Sequence, residues 1–172
     1  FEPALLERVG KLLGLPLEDL QRCYDERVRL NQGAATLVKT MRSHGARCVL
    51  VSGGFSFFTS RVAALAGFDA ERANVLLDDG TVLTGDVQRP ILGRTAKLET
   101  LNAEATALKI AASDVLAIGD GANDLDMIQA AGLGIAYRAK PIVAAEADAR
   151  IEYTSLEAAL FFQGYRRSEF VA

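Results

Sequence analysis

From residue 47 onward, short apolar runs alternate with loops rich in glycine and aspartate, and a helical pattern follows each loop. The clearest apolar runs are residues 48–51 and 115–118. Short runs of this kind are typical of strands buried on both faces, and strands that alternate with helices are typical of a parallel sheet. The alternation therefore predicts an α/β fold built on a doubly wound parallel sheet.

Further segments extend this architecture. Asp78-Asp79-Gly80 separates two strand-like segments, which indicates a hairpin that forms a small flap on the sheet. The remaining predicted elements are the hairpin strands at 74–77 and 81–87, a strand at 133–136, a helix from near Pro141, a short edge strand at 151–153 and a helix at 155–162.

Residues 1–29 carry a helical pattern instead. Gly14 ends a first predicted helix, and Pro16 opens a second. Residues 1–30 are thus predicted to be part of a helical cap on an α/β core of residues 31–172. The apolar positions at helical spacing are Leu5, Leu6, Val9, Leu12 and Leu13.

The composition excludes several classes of protein. The chain has 172 residues and a net charge of -3, with acidic and basic residues mixed along its length, so no broad basic face is expected for nucleic acid or an anionic membrane. No apolar stretch is long enough to cross a membrane. Cys23 and Cys48 lack the Cys-x-x-Cys spacing of metal or redox motifs, which favours a reducing cytoplasm.

The first candidate site is the segment Ser52-Gly53-Gly54, which follows an apolar run and precedes a helix beginning near Ser56. Glycines expose backbone N–H groups, and a helix N-terminus adds partial positive charge, so a turn here could hold a phosphate. The alternative is a plain strand-to-helix turn. The segment lacks the Gly-Lys-Ser/Thr of a nucleotide-binding P-loop.

The second candidate site is the loop that places Asp120, Asn123 and Asp124 after the apolar run 115–118. Hard oxygen ligands in a tight glycine loop suit Mg²⁺. The alternative is a solvated loop in which Asp124 caps the helix from Leu125, which explains Asp124 well and Asp120 poorly. A dinucleotide site is excluded because Asp124 stands at the third glycine position of that motif.

The third candidate is Lys97, in the first turn of a helix predicted to start near Arg94. A lysine at this position opposes the helix dipole, which a nearby anion would explain. The alternative is a solvated surface lysine. His44 precedes Gly45 at a predicted helix end, where a cation is expected for structural reasons, so we assign it no catalytic role.

Taken in chain order, Ser52-Gly53-Gly54-Phe55, Lys97 and Gly119-Asp120-Gly121-Ala122-Asn123-Asp124 resemble motifs two, three and four of the haloacid dehalogenase superfamily. The chain more narrowly resembles the phosphoserine phosphatase family. That narrower resemblance also includes Phe1-Glu2, Arg8-Val9 and Gly164-Tyr165-Arg166. It implies a Mg²⁺-dependent phosphomonoesterase that hydrolyses O-phosphoserine to serine and phosphate through an aspartyl-phosphate intermediate.

The resemblance also implies a role for each matching residue. Asp120 would ligate Mg²⁺, and Asp124 would support the metal and its water. Ser52 and the Gly53 amide would bind phosphoryl oxygens. Asn123 would contact the phosphate side of the site.

Two basic residues receive implied roles as well. Lys97 would neutralise charge on the nucleophile and on the phosphoryl group, and Arg8 would grip the carboxylate of a small phosphorylated amino acid. The alternatives are a phosphatase of another small phosphorylated amino or hydroxy acid, or a non-catalytic phosphate- or metal-binding relic. A homodimer is a further assembly we consider.

In the superfamily, an Asp-x-Asp-x-Thr segment after the first strand supplies the nucleophile and the general acid and base. The 172 residues contain no such segment, so the resemblance implies a core without its first strand. We expect these residues alone to be inactive. The missing strand is expected at the sheet centre, between the predicted strands at 48–51 and 115–118.

Overall fold

The computed structural model describes residues 2–93 and 95–172. Its α-helices are α1 Glu2–Gly10, α2 Leu17–Arg27, α3 Ala34–Ser43, α4 Ser56–Ala66, α5 Thr95–Leu108, α6 Leu125–Ala130, α7 Pro141–Glu146 and α8 Ala158–Phe162. Its β-strands are β1 Val49–Phe55, β2 Ala70–Asn74, β3 Leu76–Asp78, β4 Leu83–Val87, β5 Leu116–Gly119, β6 Leu133–Tyr137 and β7 Ala149–Ile151. The proposed contribution of Phe1 to the family likeness and the predicted helix start at Arg94 lie outside the described residues.

The chain forms two compact units, and the first comprises residues 2–30 and 45–93. In this unit β1 pairs in parallel with β2, and β3 pairs antiparallel with β4. Helix α1 buries Leu5 and Val9, which lie four residues apart on one helix face, against the β3–β4 hairpin. Their buried cluster is completed by Leu20, Leu76, Leu83 and Val87.

The link between α1 and α2 is tied to the same hairpin by backbone hydrogen bonds. The Leu83 amide donates to the Leu15 carbonyl over 2.9 Å, and the Leu17 amide donates to the Thr81 carbonyl over 2.9 Å. The N-terminal helices and the hairpin therefore share one core and one set of backbone contacts.

The second unit comprises residues 31–44 and 95–172, and its centre is the parallel sheet β5-β6-β7. Successive residues of β6 face opposite sides of the sheet. Ile135 and Tyr137 enter a cluster with residues of α3 and α8, whereas Ala136 enters a cluster with residues of α6 and α7. Helices thus cover both faces of this sheet, which explains why its strands read as nearly continuous apolar runs.

The fold class is confirmed: parallel strands alternate with helices, and two helices open the chain. The strand predicted at 115–118 is observed as β5, and the one at 133–136 as β6. The predicted edge strand lies two residues earlier, as β7, and α8 begins three residues later than predicted. The division into a cap of residues 1–30 and a core of residues 31–172 stays a prediction.

Strand β2 is a feature that the sequence did not indicate. Its residues Ala-Glu-Arg-Ala-Asn include no β-branched or aromatic side chain, so its strand propensity is low. It forms because its backbone pairs with β1. No helix within the described residues is long and apolar enough to cross a membrane.

Candidate active site

Strand β5 ends at Gly119, and the next residue, Asp120, begins the loop at the carboxyl end of the sheet of the second unit. The Asp120 side chain is exposed, and none of the described residues forms a hydrogen bond or ion pair with it. The Asp120 carbonyl accepts the Lys140 amide over 3.2 Å, which fixes the backbone of the loop next to the start of α7. The loop therefore presents a free carboxylate on a tethered backbone.

Asp124 organises the interior of the same loop. Its side chain is buried, and its Oδ2 accepts the amides of Asp120 over 3.0 Å and Gly121 over 2.9 Å. Its Oδ1 pairs with the Lys97 ammonium, and the two side chains are only 3% and 13% exposed. A buried charge needs a partner and satisfied hydrogen bonds, and here the carboxylate has both.

This arrangement excludes a helix cap on α6 as the role of Asp124 and a solvated surface position for Lys97. Asp124 stands at the N-cap position of α6, but its side chain makes no capping bond to that helix. Lys97 lies in the first turn of α5, as predicted, but it is mostly buried rather than solvated. The anion that explains a lysine at a helix N-terminus is the Asp124 carboxylate.

Gly119 makes room for the buried carboxylate. A Cβ at this position would lie 2.4 Å from the Cβ and 2.5 Å from the Cγ of Asp124, which is closer than real atoms approach. The residue before Asp120 must therefore be glycine for Asp124 to turn back onto the loop.

The carboxylates of Asp120 and Asp124 also decide whether this loop suits a metal ion. No cluster of three or more His, Cys, Asp or Glu side chains suited to a metal occurs among the described residues. Mg²⁺ commonly takes only one or two carboxylates from a protein and completes its shell with water and substrate phosphate. The free carboxylate of Asp120 therefore fits the protein's share of a Mg²⁺ shell, and Asp124, whose oxygens are already engaged, supports the loop that presents it. Asn123 is exposed on the same loop.

Ser52 and Gly53 lie in the first unit, within a strand rather than in the predicted turn. Strand β1 continues to Phe55, and α4 begins at Ser56, as expected. Ser52 Oγ accepts the Gly54 amide over 3.0 Å. The strand resumes its pairing with β2 after the glycines, with Phe55 opposite Asn74.

Asn74 is a residue that sequence reasoning missed. Its side chain donates to the Gly53 carbonyl over 3.1 Å and accepts the Leu92 amide over 2.7 Å. The available signal was an asparagine, a residue disfavoured in strands, at the start of the segment predicted as a hairpin strand. Arg8 is exposed in the last turn of α1, and it forms no ion pair within the described part of the chain.

The structure thus brings Lys97, Asp120, Asn123 and Asp124 together in the second unit, and Arg8, Ser52 and Gly53 belong to the first unit. The pattern that defines haloacid dehalogenase-like hydrolases matches residues 6–129 of the chain. The chain belongs to this family. The loop that carries Asp120 and Asp124 lies within the matched range.

This haloacid dehalogenase-like hydrolase has relatives that carry the name phosphoserine phosphatase. One from Streptomyces coelicolor is 41% identical over 98% of the chain, which covers 41% of the relative's length. One from Albidiferax ferrireducens is 40% identical over 91% of the chain, which covers 68% of that relative. The chain spans less than half the length of the first relatives it matches.

Solved structures agree with the family assignment. A structure described as a phospho-aspartyl intermediate analogue of phosphoserine phosphatase aligns with a TM-score of 0.86 and 38% identity. The alignment covers 94% of the chain and 77% of that structure. The hydrolase fold is therefore shown over nearly the whole chain.

Proposed function

We propose that the intact protein is a phosphomonoesterase that hydrolyses O-phosphoserine to serine and phosphate through an aspartyl-phosphate intermediate. The observation that carries the proposal is the loop in which buried Asp124 holds Lys97 while Asp120 stays free at the end of β5. The name phosphoserine phosphatase on relatives about 40% identical supports the substrate.

We propose Mg²⁺ as the cofactor, held by Asp120 with the support of Asp124. When bound, the ion would neutralise charge on the phosphoryl oxygens and help align them. Asp124 keeps the loop amides of Asp120 and Gly121 in place. The exposed amide of Asn123 contacts the phosphate side of the site.

Lys97 and Ser52 act on the phosphoryl group in this proposal. Phosphoryl transfer depends mainly on positioning and on stabilisation of charge. Asp124 holds the Lys97 ammonium, so the position of this positive charge is set before substrate binds. The Ser52 hydroxyl and the Gly53 amide donate to phosphoryl oxygens. We assign the attacking aspartate to none of these 172 residues, which contain no Asp-x-Asp-x-Thr segment.

Arg8 is the proposed clamp for the substrate carboxylate. Its guanidinium can form two parallel hydrogen bonds to a carboxylate, and α1 presents it exposed and unpaired among the described residues. Because this feature recognises a carboxylate rather than serine itself, a second candidate substrate is another small phosphorylated amino or hydroxy acid.

The remaining expectations stay predictions. These are a cytoplasmic location, the absence of a nucleic-acid or membrane partner, and a homodimer. The non-catalytic relic is disfavoured, because it gives no reason for a mostly buried lysine paired with a carboxylate beside a free one.

The test is release of inorganic phosphate from O-phosphoserine by the purified intact protein. We expect activity that excess EDTA abolishes and Mg²⁺ restores. Ca²⁺ should restore it poorly, because Ca²⁺ is the larger ion and its coordination geometry is looser. Asp120→Asn should abolish the Mg²⁺-dependent rate, whereas Glu99→Gln, which changes an exposed carboxylate on α5, should not. Full activity in EDTA would refute the proposal.

A further inference from the structure

The geometry points to Asn74 as a positioning residue that fixes the Ser52 hydroxyl and the Gly53-Gly54 backbone for phosphoryl binding. This inference rests on the proposed function, because that function assigns the Ser52 hydroxyl and the Gly53 amide to the phosphate. It adds a residue that makes no contact with the phosphate itself and acts through Gly53 and Gly54.

The relevant backbone feature is an irregularity in the pairing of β1 with β2. Val51 lies opposite Arg72, and Phe55 lies opposite Asn74. Between these two pairs the chain advances four residues along β1 but only two along β2, so β1 contains two extra residues that bulge from the ladder. Bulges of this kind redirect side chains and are common next to functional sites.

The bulged segment contains two consecutive glycines, which are the residues with the greatest backbone freedom. The strand ladder does not restrain them, because the regular pairing stops at Val51 and resumes at Phe55. A single bulge conformation therefore needs a bond from outside β1.

Asn74 supplies that bond. Its Nδ2 donates to the Gly53 carbonyl over 3.1 Å, and its Oδ1 accepts the Leu92 amide over 2.7 Å. The side chain is 2% exposed, so water cannot replace these partners without opening the structure. The Gly53 carbonyl and the Gly54 amide share one planar peptide unit, so the bond to Asn74 also sets the direction of the Gly54 N–H.

The Gly54 N–H in turn sets the Ser52 side chain. It donates to Ser52 Oγ over 3.0 Å and so occupies one acceptor site of the hydroxyl. The hydroxyl proton finds no acceptor within the described residues, which leaves it available to an anionic oxygen. The order of action is Asn74 to the Gly53–Gly54 peptide, then to Ser52.

A purely structural role for Asn74 would tie β2 to the segment around Leu92 without effect on phosphate. Asn74→Asp distinguishes the two roles. A carboxylate still accepts the Leu92 amide, but it has no proton to donate to the Gly53 carbonyl. Thr59→Val is the matched control, since it removes another buried contact of the same unit, the bond from Thr59 to Glu71.

The first measurement is hydrogen exchange of individual amides, followed by NMR in the intact protein. In the wild type, we expect the Gly54 amide to be protected. In Asn74→Asp, Gly54 exchange should accelerate at least about tenfold, the effect of losing about one hydrogen bond, while Leu92 stays protected. A rapidly exchanging Gly54 amide in the wild type would overturn the inference even if the variant failed to fold.

The second measurement is the dissociation constant for inorganic phosphate, together with kcat and KM for O-phosphoserine. Asn74→Asp should weaken phosphate binding about tenfold. Thr59→Val should leave phosphate binding unchanged even if it lowers the free energy of unfolding by the same amount. In the Ser52→Ala background, Asn74→Asp should weaken phosphate binding by less than it does in the wild type, because the part of its effect that passes through the Ser52 hydroxyl is already lost. Unchanged phosphate affinity in Asn74→Asp, with an active wild type, overturns the inference alone. An intact wild type that hydrolyses no phosphomonoester overturns the proposed function.

Discussion

The Lys97 ammonium pairs with Asp124 Oδ1, while Asp124 Oδ2 accepts the amides of Asp120 and Gly121. One buried carboxylate thus holds both a cation from α5 and the backbone of the loop after β5. Any change that moves Asp124 will therefore move Lys97 and the loop that presents Asp120.

Lys97→Ala should lower both turnover and stability. Turnover of the intact enzyme on O-phosphoserine should fall ~10²–10³-fold, the scale for loss of one charge stabiliser. The free energy of unfolding should fall by about 3–5 kcal/mol, because the Asp124 carboxylate would be left buried without its partner. Phosphate release and urea unfolding check these expectations.

Lys11→Ala is the control for this change. Lys11 pairs with Glu7 over 3.3 Å, but both side chains are more than 70% exposed. Removing an exposed pair of this kind should change the free energy of unfolding by less than about 0.5 kcal/mol. A Lys97→Ala variant as stable and active as Lys11→Ala would show that Lys97 contributes no more than a solvated surface lysine.

Gly119→Ala should displace the Asp124 carboxylate. The added methyl group would lie 2.4 Å from the Asp124 Cβ, so the free energy of unfolding should fall by about 1–3 kcal/mol or more, and activity should fall with it. Gly121→Ala is the matched control. Its methyl group would meet mainly the exposed end of Asn123, which can rotate away. Equal losses of stability in the two variants would show that Asp124 does not require the space at Gly119; activity is not compared, because Asn123 belongs to the proposed phosphate site.

Arg8→Ala should change substrate preference rather than stability. We expect a loss of kcat/KM on O-phosphoserine, with little loss on O-phosphoethanolamine, which lacks the carboxylate. Lys11→Ala, at an exposed cation in the turn directly after the same helix, should leave the ratio of the two substrates unchanged. Equal losses on both substrates in Arg8→Ala would exclude Arg8 as the carboxylate clamp.

Asp79 in the hairpin loop should give a stability contribution that depends on pH. Hydrogen bonds from the Val82 amide, the Thr81 hydroxyl and the Thr81 amide lower its pKa from 3.8 to about 2. Because the folded state binds this proton less tightly, the contribution is fully present above pH 3.8 and is lost as the pH falls through about 2. The difference in free energy of unfolding between the wild type and Asp79→Asn, measured with urea, should therefore shrink across this range. A constant difference would contradict the lowered pKa.

The sequence determined the family and, except for β2, most of the order of strands and helices, and it indicated the candidate site residues. These features are local: the apolar run of β5 precedes Asp120 directly, and Lys97 lies in the first turn of α5 whatever surrounds it. The periodicity of apolar residues and the spacing of motifs indicate such features, because residues close in sequence are also close within a strand or helix.

Only the tertiary structure decided which of these residues touch. Lys97 and Asp124 are 27 residues apart, and Asn74 and Gly53 are 21 apart, so no helical or strand period links them. Strand β1 pairs with β2 on both sides of Ser52-Gly53-Gly54, up to Val51 and again at Phe55, although the glycines alone favour a turn. Packing decides which residues distant in the chain become hydrogen-bond partners. A buried polar group without a partner is costly, so the stable fold is one in which the buried polar groups are paired.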